Sequence, residues 1–158
     1  MTSQIGKPKI FGFINILFRL FLGGMLLLGG IDKFEKPIPS PTSQFEKITK
    51  GEIKTDNLEE LQIQNYIFGM KQTDYFWQFL GITEIAFGLL IISQIFGLLG
   101  AFLSLPLTIN IFLFHAFLEP NETSEIIKVG LLLAINLWLI GYEYKRWKSI
   151  LFNKNIFS

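Results

Sequence analysis

Two residues of opposite charge, Arg19 and Glu84, lie inside long apolar stretches of this chain. A charged side chain at the centre of a membrane span costs about 2.5–3.5 kcal/mol, so such residues are expected to be paired or functional. Each lies eight residues inside its stretch, which places the two about 6 Å apart in depth within a hydrocarbon core about 30 Å thick. We therefore predict a buried Arg19–Glu84 ion pair, with Asn15 one helical turn from Arg19 on the same face.

Two interpretations of this predicted pair stay open. A buried pair can fix helix register and partner choice without any catalysis, or it can form a polar site for a ligand or a proton. Asn110, His115 and Asn136 lie in later apolar stretches and, together with Thr108, are predicted to line a polar pocket that opens outward. Hydrogen bonding between helices, worth about 0.6 kcal/mol per bond on average, is the alternative for them.

The composition indicates which kind of protein must position these residues. Of 158 residues 50% are hydrophobic and only 17% are charged, against about a quarter in soluble domains. High hydrophobicity excludes a disordered chain, and a net charge of +1 without a basic stripe excludes a nucleic-acid partner. Cysteine is absent and there is one histidine, so disulfides, Fe–S clusters and thiol redox chemistry are excluded and no metal site is predicted.

The apolar residues form segments long enough to cross a bilayer, which takes about 20 residues. The stretch 76–118 would reach about 64 Å as one helix, about twice the hydrocarbon thickness, so it must fold back near Ser93 and Gln94. The predicted spans are 11–31, 76–93, 95–118 and 126–142. We expect an all-α fold, an integral membrane four-helix bundle formed by one domain, 1–158, whose lipid-facing surface contacts the bilayer.

The first loop, 34–75, is long for a connection without structure of its own. It begins with three prolines in five residues, which favour extended chain. Asp56 and Glu59 then have the spacing of a capping box. We predict a short amphipathic extracytoplasmic helix that lies over the mouth of the bundle; the alternative is a solvated loop.

The distribution of charge predicts the orientation in the membrane. Basic residues flank the first span at the N-terminus and follow the last span, whereas the 119–125 loop has three glutamates and no Lys or Arg. By the positive-inside rule we expect a multi-pass protein of the cell inner membrane with both termini in the cytoplasm. Lys33, Lys36 and Lys128 oppose this orientation.

The residues that follow Arg19 and those around Glu84 resemble the DoxX-like family of small bacterial membrane proteins. The resemblance covers nearly the whole chain apart from the first loop, and it is carried by Leu22–Gly24, Gly29–Phe34, Gly81–Ile85, Gly88–Leu90 and Pro106–Pro120. It implies a helical membrane bundle, and it implies candidate polar-site roles for Arg19, Glu84, Asn110 and His115. Relatives are associated with quinone-linked sulfur oxidation, and others resemble accessory proteins of redox complexes.

The expected function is that of a non-enzymatic accessory or membrane-anchor subunit with a buried polar centre at Arg19 and Glu84. One alternative is a subunit of a quinone-linked membrane oxidoreductase, in which Arg19, Glu84 and His115 handle protons near a quinone head group. Another is a small-solute carrier, which lacks support because no internal repeat is evident. No resident cofactor is expected beyond a bound quinone or lipid, and a protein partner or a homo-oligomer is the expected assembly.

Overall fold

The computed structural model describes residues 7–35, 37–52 and 57–151, and within these ranges the chain forms helices and no strand. Seven helices follow one another along the chain. They are α1 (Lys7–Glu35), α2 (Ser43–Thr49), α3 (Leu58–Lys71), α4 (Phe76–Ile92), α5 (Gly97–Leu118), α6 (Thr123–Tyr142) and α7 (Tyr144–Leu151).

The chain has three to four candidate membrane spans. Helices α1, α5 and α6 are long and apolar enough to cross a bilayer. Helix α4 is also strongly apolar but has only 17 residues, and it joins α3 at a bend of 87°. Because of this bend α3 cannot continue the direction of α4. It instead crosses over the end of the bundle at which α4 begins.

Helix ends differ from the predicted segments in ways that matter for the site. Helix α1 extends past the predicted 11–31 at both ends, and a helix does form in the first loop. Asn57 caps that helix by accepting a hydrogen bond from the Glu60 amide; Asp56, the predicted cap, lies outside the described residues. Helices α2 and α7 were not predicted, because both are short and polar.

Helices α1 and α4 form one antiparallel pair, brought close by glycines seven residues apart on each helix. A Cβ atom at Gly88 would lie 2.7 Å from the Gly23 carbonyl oxygen, and one at Gly30 would lie 2.7 Å from the Gly81 carbonyl oxygen. Only glycine permits such an approach of two backbones. These contacts fix the register of α1 against α4.

Helices α5 and α6 form a second pair, and the two pairs meet at the end of the molecule that carries the start of α1 and helix α7. There α4 turns into α5, and Gly100 packs on the Ile91 backbone. Phe11 of α1 stacks on Trp138 of α6. The core packed between the pairs includes Leu22, Leu26, Ile91, Ala101, Ile135 and Leu139. Towards the opposite end, cavities lie between α4 and α5 and between α1 and α6.

Candidate functional site

Glu84 pairs with Lys33, near the end of the bundle that α3 covers. The Lys33 ammonium lies 2.5 Å from Glu84 Oε2 and donates a second hydrogen bond to the Gly29 carbonyl. Trp77 holds this part of α1 by donating its indole N–H to the Lys33 carbonyl, and its ring lies 5.4 Å from the ammonium. Glu84 is only 3% exposed, so the charge is matched within the protein, as a buried carboxylate requires.

Arg19 pairs elsewhere, and the predicted Arg19–Glu84 ion pair is wrong. The glycine contacts place Arg19 opposite the C-terminal end of α4, near residue 92, and place Glu84 opposite α1 near residue 27. That offset of eight residues corresponds to about 12 Å along the helix, twice the separation estimated from segment ends. The register of the two helices therefore separates the charges and gives each its own partner.

The Arg19 guanidinium forms hydrogen bonds to two other parts of the chain at the end where the two helix pairs meet. It donates to the main-chain carbonyl of Gln94 at 2.8 Å and to Glu143 at 2.9 Å. Gln94 adopts a left-handed conformation with φ 61°, which residues other than glycine adopt rarely. Glu143 also accepts from Arg146 at 2.9 Å. Asn15 is buried one turn from Arg19, as predicted.

A cavity of about 520 Å³ opens between α4 and α5 beneath α3. Most of its walls are apolar or aromatic. Its polar groups are the Lys33–Glu84 pair and the side chains of Thr83, Asn110 and His115. The Nδ1 atom of His115 contacts a carboxylate oxygen of Glu119, the residue that follows α5. The structure thus brings Glu84, Asn110 and His115 to one cavity, and it leaves Arg19 and Asn15 outside it.

The Lys33–Glu84 pair also borders a second cavity, of about 300 Å³, on the side of α1 and α6. Among the described residues, Ile111 alone lines both cavities along with the two members of the pair. Thr108 lines the second cavity and so does not join His115, although the two are seven residues apart. The pair therefore stands in the wall that separates two internal spaces.

Asn136 lines neither cavity, which corrects its predicted place in the outward pocket. It is fully buried between α5 and α6, and its amide donates to Ser104 at 2.9 Å and to Thr108 at 3.1 Å. Both hydroxyls donate to carbonyls of their own helix. This polar group is a contact between two helices of one pair.

Lys33, Glu143 and Trp77 are site residues that the sequence did not single out. Lys33 and Glu143 lie two residues and one residue beyond the predicted ends of the first and last spans. Both appeared as loop charges, although α1 carries Lys33 inside the helix and Glu143 is the residue after α6. The repeated spacing of seven between Gly23 and Gly30 and between Gly81 and Gly88 was the signal that could have set the register.

Comparison with protein-family models matches the DoxX family over residues 14–116, which is most of the chain. This range includes the glycines that set the contact between α1 and α4, and it includes the residues of α4 and α5 that line the two cavities. Searches of curated proteins and of solved structures gave no match.

Proposed function

This membrane-embedded chain belongs to the DoxX family, and we propose that it is an accessory subunit that holds a quinone-class ligand beside the Lys33–Glu84 pair. The proposal has it cross the inner membrane four times through α1, α4, α5 and α6. Electron transfer is assigned to a partner protein, because the chain has no cysteine for thiol redox chemistry. The observation that carries the proposal is a mainly apolar cavity with an ion pair in its wall.

The size and lining of the cavity support a small amphiphilic ligand. Ligand sites in proteins usually measure about 300–1,000 Å³ and combine apolar walls with a few placed polar groups, and this cavity measures about 520 Å³. Its rim includes Phe79 and Leu103, which are 58% and 42% exposed. In a bilayer such a rim faces lipid, so a hydrophobic ligand can enter sideways between α4 and α5.

The polar groups of the cavity suit a ring that carries carbonyl oxygens. An ammonium has three N–H donors, and Lys33 directs two of them at Glu84 and Gly29, which leaves one for a ligand carbonyl. His115 lies on the same cavity, with Glu119 beside its Nδ1 to orient the imidazole. Because Glu84 balances Lys33, the site favours a neutral polar ring over an anion.

The charges at the two ends of the bundle support cytoplasmic termini. Four cations are exposed at the end that carries the start of α1 and helix α7, namely Lys9, Lys145, Arg146 and Lys148. Two of the three lysines that oppose this orientation are neutralised, since Lys33 pairs with Glu84 and Lys128 pairs with Glu125. The third, Lys36, lies outside the described residues. By the positive-inside rule the proposed cytoplasmic face is the one where exposed cations outnumber carboxylates.

Quinone binding is tested by filling the cavity from its rim. Leu103→Trp adds an indole at a position that lines the cavity, and Leu99→Trp adds one a turn earlier on α5, at a residue that is 50% exposed and lines no cavity described above. The purified proteins are titrated with a benzoquinone that carries a decyl chain. We expect Leu103→Trp to weaken binding at least about tenfold, a difference of about 1.4 kcal/mol, and Leu99→Trp to leave it unchanged. No binding by the unaltered chain, or equal binding by both variants, would reject the proposal.

A further inference from the structure

Helix α7 presents a basic surface at the end of the molecule where α1 begins. It begins one residue after α6 ends, so it starts where the last span reaches the membrane surface. Trp147 fixes its inner side by donating its indole N–H to the Ile140 carbonyl at 2.8 Å and by packing edge-on against Phe102 of α5. Lys145, Arg146 and Lys148 remain exposed.

The acidic residue beside this surface does not cancel its charge. Glu143 is the carboxylate between α6 and α7, and its side chain is 10% exposed. One of its oxygens contacts the buried Arg19 and the other contacts Arg146. The charge of Glu143 is therefore shared with Arg19 inside the protein, and the outer surface stays cationic.

The N-terminal part of α1 extends the same basic surface. Gly12 lies against the Tyr142 hydroxyl at the end of α6, and Phe11 stacks on Trp138. Lys9, three residues before Gly12, is exposed and so lies on the side of the molecule that carries α7. Two separate parts of the chain thus place cations at the same membrane surface.

We propose that the α7 surface, defined by Lys145, Arg146 and Lys148, binds the phosphodiester head groups of anionic phospholipids in the adjacent leaflet. Basic segments directly next to a span are attracted to anionic lipid, and the attraction falls within a Debye length. Tyr144 and Trp147, whose rings lie 5.0 Å apart, are of the amphipathic type enriched at head-group depth. A groove at the corner between α6 and α7 is lined by residues 141–146, which include Lys145 and Arg146 as well as Glu143, the carboxylate already paired with Arg19 and Arg146.

The test measures lipid retention by native mass spectrometry of the full chain in detergent, titrated with phosphatidylglycerol or phosphatidylcholine. The test variant is Lys145→Gln/Lys148→Gln. The control is Lys47→Gln/Lys50→Gln, which removes the same charge from exposed residues of α2 and its C-cap, in the first loop. We expect the unaltered chain and the control to retain phosphatidylglycerol in preference to phosphatidylcholine. The test variant should bind phosphatidylglycerol about tenfold or more weakly.

Two further arms separate the proposal from simpler explanations. Inorganic phosphate at millimolar concentration should not displace the lipid, and retention should fall at high salt because the attraction is electrostatic. The proposal would be overturned if the test variant retained as much phosphatidylglycerol as the unaltered chain. It would also be overturned if the control lost as much as the test variant, because net charge alone would then explain the loss. An unchanged thermal midpoint of the test variant shows that it is folded; if it is not, Lys145→Gln alone replaces it.

Discussion

Arg19 and Gly97 make a contact that no larger residue at position 97 can share. A Cβ atom on Gly97 would lie 2.5 Å from Arg19 Nη1 and 2.7 Å from the carbon of the guanidinium. The guanidinium of the buried Arg19 therefore packs directly against Gly97, the first residue of α5. The contact places the guanidinium within reach of both Gln94 and Glu143, and so it helps to hold α1, the α4–α5 turn and α6 together.

Replacing this glycine should displace the arginine. We expect Gly97→Ala to lower the free energy of unfolding by about 1–3 kcal/mol, the usual cost of overpacking a filled site. The measurement is the thermal unfolding midpoint in detergent. Gly141→Ala is the matched control, because nothing lies within 4 Å of its added methyl group. A midpoint for Gly97→Ala equal to that of the control would contradict the role given to this contact.

The close approach of α1 and α4 gives a second prediction. An added methyl group at Gly88 would meet the Gly23 carbonyl oxygen, which is backbone and cannot swing away. We expect Gly88→Ala to cost at least about 1–3 kcal/mol, seen as a lower unfolding midpoint. Gly24→Ala on α1 meets nothing within 4 Å and replaces glycine with a better helix former, so it should be neutral or stabilising by up to about 1 kcal/mol. Equal effects of the two changes would mean that the helices are not in this register.

The identity of Glu84's partner gives a third prediction. Glu84→Leu leaves the Lys33 ammonium buried without its carboxylate, which should cost about 3 kcal/mol or more. Lys33→Met removes the stranded charge at similar length, so it should restore much of the loss in the double variant. Arg19→Leu should not, because Arg19 bonds to Gln94 and Glu143. Unfolding midpoints of the single and double variants measure both effects, and rescue by Arg19→Leu instead would reinstate the pair predicted from sequence.

Asn136 gives a fourth prediction, which concerns shape as much as polarity. The hydroxyls of Ser104 and Thr108 keep their bonds to their own helix when the amide is removed. We therefore expect Asn136→Leu to change stability by no more than about 1.2 kcal/mol, the sum of two weak bonds between helices at about 0.6 kcal/mol each. Asn136→Ala leaves a hole and should cost about 2 kcal/mol or more. Chemical unfolding in mixed micelles ranks the two variants, and equal losses for Leu and Ala would contradict this prediction by showing that the shared loss of the amide hydrogen bonds dominates.

The helical membrane character of the chain was predictable because it depends on composition summed over long segments. Segments of about 20 apolar residues identify spans whatever their neighbours are, and the structure has helices in all four predicted segments. The burial of Arg19, Glu84 and Asn136 was also predictable, because a polar residue in such a segment is rarely left facing lipid.

The partners of these residues were not predictable from span ends. A helix that extends four residues further than its apolar part, as α1 does beyond Ile31, brings Lys33 into the helix and next to Glu84. The register of α1 against α4 then depends on where the two backbones can touch, which is set by the positions of four glycines. The hydropathy of the spans does not reveal these positions. Asn136 was misplaced for a related reason, since a residue's depth says nothing of which neighbouring helix it faces.

The unequal lengths of α1 and α4 have a consequence for the surrounding lipid. Helix α1 has 29 residues and α4 has 17, which correspond to about 43 Å and about 25 Å. Since the glycines lock the two together, α1 cannot tilt away to relieve the difference, and α3 turns aside where α4 stops. In the proposed four-span arrangement the hydrophobic mismatch therefore falls on the bilayer, which thins beside α4. Thin regions of membrane, or short-chain lipids, are where this protein should collect.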